Sequence, residues 1–140
     1  MKSIVFIILM SFSINAYCQF FNGDYMSNET SYKDNKNNEN NFREKSNFNI
    51  AIFIEDNTTD GTIIIQDTRI PEKLLAYRIT GRKDFVETGG RWIAIYNCIA
   101  EHLDDKKKET LTFFISRENE LNLMVSDSTS SQMFFNLQKQ

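Results

Sequence analysis

From Phe48 onward the apolar residues recur with a period close to two, the spacing that sends alternate side chains to opposite faces of a β-strand. Over Phe48 to Glu55, Phe48, Ile50, Ile52 and Ile54 share one face, while Asn49, Ala51, Phe53 and Glu55 take the other. The run from Asp56 to Gly61 consists of residues that favour turns through side-chain hydrogen bonds or positive φ, so Thr62 to Asp67 is expected to return as the second arm of a hairpin. Arg91 to Glu101 is the longest strand candidate. It has Trp92, Ala94, Tyr96 and Cys98 on one face and Ile93, Ile95 and Ile99 on the other, the pattern of a strand covered on both sides. Polar turns at Asp104 to Lys108, Arg117 to Asn119 and Asp127 to Ser130 set off three further strands, Thr110 to Ser116, Glu120 to Ser126 and Ser131 to Leu137.

Ile70 to Gly81 carries two patterns at once. Pro71 near a start, Gly81 at a stop, and Ile70, Leu74 and Leu75 at helical spacing fit a helix. Leu75, Tyr77 and Ile79 alternating with Ala76, Arg78 and Thr80 fit a strand, and the segment ends in a β-branched pair, so a strand is expected. The chain then holds about seven strands in meander order, an all-β fold that closes as a small antiparallel barrel or packs as a two-sheet sandwich over residues 48–140.

Before Phe48 the pattern changes. Between Asn22 and Asn47 eight residues are Asn, and the apolar residues are confined to Tyr25, Met26, Tyr32 and Phe42. Ordering costs about 1–2 kcal/mol per residue for the backbone, more than so little apolar surface offsets. Residues 19–47 are therefore expected to be a flexible tail, with Phe20 and Phe21 available to dock as an edge strand. Residues 1–18 read as a cleaved export signal: Lys2, then the apolar run Ile4 to Met10, then Ala16-Tyr17-Cys18 with small residues at the two inspected positions. The apolar run is short of the roughly 20 residues that span a bilayer. Tyr17 before Cys18 also fits poorly with lipid attachment at that cysteine. The expected location is the periplasm or the outside of the cell, with the membrane touched only through the signal.

Composition narrows the function. The formal charge is −3, and the one basic run, Lys106-Lys107-Lys108, directly follows Asp104-Asp105, so no cationic stripe forms and nucleic acid is not an expected partner. Signal cleavage leaves Cys98 as the single cysteine, so no intramolecular disulfide is available and stability must come from a hydrophobic core. The abundance of Asn, Lys, Ile and Phe fits the codon bias of an AT-rich bacterial genome, where the sequons at Asn28 and Asn57 would go unused.

Several residues invite chemistry. His102, between Glu101 and Asp104, offers a base or a metal ligand, but a metal site needs three or four matched ligands and no nucleophile motif accompanies it. It reads as a solvent-facing turn residue. Cys98 lacks a partner base and reads as a small buried hydrophobe. Gly90-Arg91-Trp92 is a Gly-x-Trp that resembles the opening signature of lipocalins, in which the Trp closes one end of a ligand-holding barrel. The resemblance covers three residues, and only 48 residues follow Trp92, too few for the eight strands that should come after it, so no lipocalin site is carried over.

No phosphate loop, Cys-x-x-Cys pair, calcium loop or nucleophile elbow is present in the mature chain, and no cofactor or metal is expected. The expected function is non-catalytic binding, with a protein as partner and Tyr77, Arg78, Arg91 and Trp92 as the binding residues, near loops Asp56 to Gly61 and Asp84 to Gly90. The alternative is a carrier of a small apolar ligand inside a lipocalin-like barrel. A third reading is a hydrolase using a carboxylate pair among Glu55, Asp67, Glu87 and Glu101. A monomer is expected.

Overall fold

The structure, a computed structural model, describes residues 21–34, 36, 39–40, 43–55, 60–88, 91–116 and 119–140; for residues 39, 40, 85, 87, 88, 91 and 92 it describes the backbone alone. The described residues form strands β1 (Gly23–Asp34), β2 (Glu39–Asn40), β3 (Glu44–Ile54), β4 (Gly61–Asp67), β5 (Leu74–Thr88), β6 (Arg91–Ala100), β7 (Lys108–Ile115), β8 (Leu121–Ser126), β9 (Ser130–Phe135) and β10 (Gln138–Lys139). Neighbours in sequence pair antiparallel from β3 through β9, and β1 pairs with both β3 and β9. The meander is thus a closed eight-strand barrel, with β2 and β10 as short additions along β1. Closure settles barrel over sandwich. It also gives the last long strand a neighbour on each side, β1 and β8.

The eighth strand is β1, and it corrects the expectation of a flexible tail over residues 19–47. Its own apolar content is low, as read, but Tyr25 and Ser27 are buried inside and its backbone bonds to neighbours on both sides. Ladder hydrogen bonds and barrel closure supply what its side chains do not. A bulge between Ser27 and Glu29 shifts the register of β1 on β3, and on the other side Ser27 Oγ donates to the Phe135 carbonyl at 2.7 Å. Outside this seam Arg43 pairs with Glu29 and lays its guanidinium over the Phe135 ring, 4.3 Å from the centroid. The entry to β3 thereby straps β1 to β9. The proposed signal, residues 1–18, and Phe20 lie outside the described residues, while Phe21 is buried against Phe113 at 4.7 Å between ring centroids.

The alternation read in the sequence fixes the inside. Phe48, Ile50, Ile52 and Ile54 from β3, Ile63 and Ile65 from β4, Tyr77 and Ile79 from β5, and Ala94, Tyr96, Cys98 and Ala100 from β6 all point inward and are buried. Leu111, Phe113, Leu123, Val125 and Phe134 complete the core. An eight-strand barrel has an interior just wide enough for side chains to fill it. Here Phe134 meets Phe48 edge to face at 5.1 Å, and Phe113 on β7 meets Tyr96 on neighbouring β6 at 6.1 Å.

The ambiguous segment resolves as a turn followed by a strand. Thr68 to Lys73, with Pro71, is the turn, and β5 begins at Leu74. β5 runs on to Thr88, so Asp84 to Thr88 is strand paired with β6, not the loop expected there, and β5 rather than β6 is the longest strand. Two bulges, between Ile79 and Gly81 and between Arg82 and Asp84, break its alternation, which is why its period fades beyond Ile79. At the β3–β4 hairpin a Cβ on Gly61 would lie 2.6 Å from the Phe53 carbonyl oxygen, so the close approach of the two strands requires glycine there.

Candidate functional site

The four residues read as a binding site do not meet. Tyr77 faces the interior and is buried; burial, reinforced by Glu109 and Cys98, pushes its hydroxyl above the ordinary tyrosine value. Arg78 points out of the barrel, and its Nε donates to Glu101 Oε1 at 2.7 Å. Hydrogen bonds from Lys106 and Arg78 hold the Glu101 carboxyl below its usual range. Arg91 and Trp92 lie at the other end of β6, with backbones paired to Thr88 and Glu87 and side chains outside the described residues. Arg78 is opposite Ile99, seven residues along β6 from Trp92, about 23 Å at 3.3 Å per residue. Of the two loops named with them, residues 56–59 and 89–90 also lie outside the described residues.

The sole histidine belongs to the turn that caps the barrel. Ala76 N–H donates to His102 Nδ1 at 3.1 Å, and the ring stands edge-on to Tyr77 at 5.0 Å. Nδ1 also lies 3.1 Å from the Ala76 carbonyl oxygen, which accepts from Glu101 N–H at 2.8 Å, so the Ala76 peptide fixes the ring against the start of β5. The ring is thus half-buried packing, not the solvent-facing turn residue read from sequence. Among the described residues no group of three or more His, Cys, Asp or Glu converges as a metal site.

Nearby, burial and Asp127 raise the Glu109 carboxyl above the usual range, with Lys107 acting against them. Asp127 is held the other way. Burial alone would raise it, but Lys107 Nζ, the N–H groups of Thr129 and Ser130 and the Thr129 hydroxyl donate to it and bring it well below the usual carboxylate range. This arrangement stitches the β6–β7 turn to the β8–β9 turn. Both of its carboxylate oxygens thus accept hydrogen bonds from the turn residues around them.

Cys98 is inert by its surroundings. Burial, then Glu109, pushes its thiol up to about 12, and the side chain is 1% exposed. A maleimide or disulfide reagent at mildly alkaline pH is expected to leave Cys98 of the folded protein unlabelled and to modify it after unfolding in guanidinium, read by peptide mass. Rapid labelling of the native protein would show that the thiol is reachable.

The feature that alternation alone does not require is on the outside. On the outward faces of β3, β4 and the start of β5, Phe53 is 59% exposed, Leu74 50% and Ile64 40%. Two hollows lie beside them. One of about 330 Å³ is lined by Ala51, Ile64, Gln66 and Leu74 among others, and one of about 340 Å³ by Ala51, Phe53, Thr62 and Ile64 among others. Both have Asp24 at their border and Ala51 in their floor, where a small side chain leaves room between large ones. The register sets these residues in cross-strand rows: Asp24, Ala51, Ile64 and Ala76 in one, Met26, Asn49, Gln66 and Leu74 in the next. A second exposed apolar pair, Val86 opposite Ile93, sits on the outer face of β5 and β6.

This face was missed in the sequence although signals for it exist. Ile63-Ile64-Ile65 and Leu74-Leu75 place consecutive apolar residues on a strand, so one member of each group must face outward, and Phe53 stands on the polar face of its own strand. No family model matches the chain, and neither the curated proteins nor the solved structures contain a match.

Proposed function

We propose that the protein is a non-catalytic binding module, exported to the periplasm or cell exterior, whose outer face on β1, β3, β4 and the start of β5 engages a protein partner. The observation that carries this reading is the exposure of Phe53, Ile64 and Leu74 around two apolar hollows on a strand face where solvent would favour polar residues. The dense core supports it over a carrier: Phe113, Phe134, Ile50 and Ile63 occupy the space an apolar ligand would need. Export rests on the residue pattern of Met1 to Cys18.

The mature protein, tagged at its C-terminus, is expected to retain a protein from the envelope or culture fluid of its source, and Phe53→Asp to lose it while keeping the wild-type circular dichroism spectrum. Equal retention by wild type and Phe53→Asp would remove this face from the function.

A further inference from the structure

We propose that the end of the barrel where the β6–β7 and β8–β9 turns meet is a pH-sensitive latch: Lys107 and Asp127 form its strap, and the charge on inward-facing Glu109 loosens it at neutral pH. The inference is independent of the outer face described above. Register sets the arrangement. Glu109 pairs with Cys98 and stands two residues before buried Leu111 on β7, so its side chain points into the barrel. The β7–β8 ladder pairs Thr110 with Ser126, and its continuation by one residue brings Asp127 opposite Glu109. Two carboxylates therefore share one end of the interior.

The donors at this end are divided unequally. Lys107 Nζ, the N–H groups of Thr129 and Ser130 and the Thr129 hydroxyl all donate to Asp127. Among the described residues no hydrogen bond or ion pair reaches the Glu109 carboxylate, although the residue is half-buried. The titratable and charged groups around it are Tyr77 from β5, Cys98 from β6, His102, Asp105 and Lys107 from the β6–β7 turn, and Asp127 from the β8–β9 turn. With Glu109 ionised, the Lys107 ammonium has two carboxylates to balance and Asp105 adds a third negative charge nearby. With Glu109 neutral, Lys107 and Asp127 balance each other.

Linkage gives the sign. Burial and Asp127 raise the folded Glu109 carboxyl above its unfolded value, so the closed state binds this proton more tightly than the opened one. The stability it contributes is fully present below the ordinary carboxylate range and is lost as pH rises through the folded pKa. The loss falls on two turns. Ala100 N–H bonds to the Lys107 carbonyl at 2.9 Å and Asp127 N–H to the Ser130 carbonyl at 3.0 Å, and such closing bonds open at lower free energy than a core strand. Opening there uncovers Tyr77 and Cys98, the inward groups beside Glu109.

Hydrogen exchange of the mature protein, read by peptide mass from mild acid to neutral pH, tests the latch. After correction for the intrinsic pH dependence of amide exchange, peptides spanning the two turns are expected to be better protected in mild acid. The gain is about tenfold for each unit by which the folded pKa exceeds the unfolded one. Peptides of β3 and β4 should change much less. Glu109→Gln keeps the shape and cannot ionise, so it should hold the acid-like protection at every pH. A flat wild-type profile overturns the inference whether or not the variant folds. An equal change in β3 and β4 overturns it too, since the effect is then global, and so does a pH profile that persists in Glu109→Gln, which assigns it to another group such as His102.

Discussion

Phe113→Ala is expected to destabilise the barrel by about 3–5 kcal/mol, the largest effect of any single truncation considered for this protein. Its ring is fully buried at the centre of β7, against Phe21 at 4.7 Å on one side and Tyr96 at 6.1 Å on the other. Truncation removes the ring from an apolar setting and leaves a cavity. The wall around that cavity is a closed ladder of paired strands, so it relaxes less than an open sheet or a helix pair would. Urea denaturation should show the midpoint falling at unchanged slope. Phe53→Ala is the control: the same chemical deletion at a side chain 59% exposed should change stability by no more than about 0.5 kcal/mol. A loss below about 1 kcal/mol at Phe113 would mean that the interior is loosely filled and would reopen the carrier reading.

The contrast between these two phenylalanines marks what the sequence reveals. Where a strand is buried on one side only, period-two alternation states which residues go inward, and Phe48, Ile50, Ile52 and Ile54 do so without exception. Alternation fails in three recognisable circumstances. At bulges the period is broken, as in β5 beyond Ile79, where the sequence reads as a loop and the chain continues as strand. In β1 the ordering comes from backbone pairing, which leaves no mark on side-chain composition, so an Asn-rich segment passes for a tail although Tyr25 and Ser27 lie inside. The third circumstance is an apolar residue that stays on the outer face. Ile64 and Leu74 are out of phase with a water-facing strand, and residues out of phase are the ones a binding face would add.

The expected binding set is dispersed over the fold for a related reason. Tyr77, Arg78, Arg91 and Trp92 were grouped by residue type, which says nothing of register. Tyr77 and Arg78 are consecutive on a strand and so must face opposite ways, one into the core and one to solvent. Arg78 then finds Glu101 across the neighbouring strand, an exposed pair whose value to stability is small.

Asn122→Ala is expected to cost about 1–3 kcal/mol although the residue it removes is polar, because two backbone groups depend on it. Asn122 is 1% exposed; its Nδ2 donates to the Glu120 carbonyl at 3.1 Å and its Oδ1 accepts from Asn136 N–H at 2.9 Å. Asn136 is the residue at φ 47° where the chain leaves β9 and turns toward β10, and Leu137 N–H bonds back to the Leu121 carbonyl at 2.8 Å. The side chain therefore holds the break between β9 and β10, both of which pair with β1 in one register. Asn122→Leu should be no better than alanine despite its apolar volume, since it satisfies neither backbone group. Asn122→Asp separates the two bonds. It keeps an acceptor for Asn136 N–H and loses the donor to Glu120, and burial raises its folded pKa above the unfolded value. The native state then binds the proton more tightly than the unfolded state, so the variant should be most stable below the ordinary carboxylate range and lose stability as pH rises through the folded pKa. Urea midpoints for the three variants across pH read this directly. Wild-type stability in Asn122→Leu would show that the turn at Asn136 is held by other contacts, and a flat pH profile for Asn122→Asp would place its carboxyl in water.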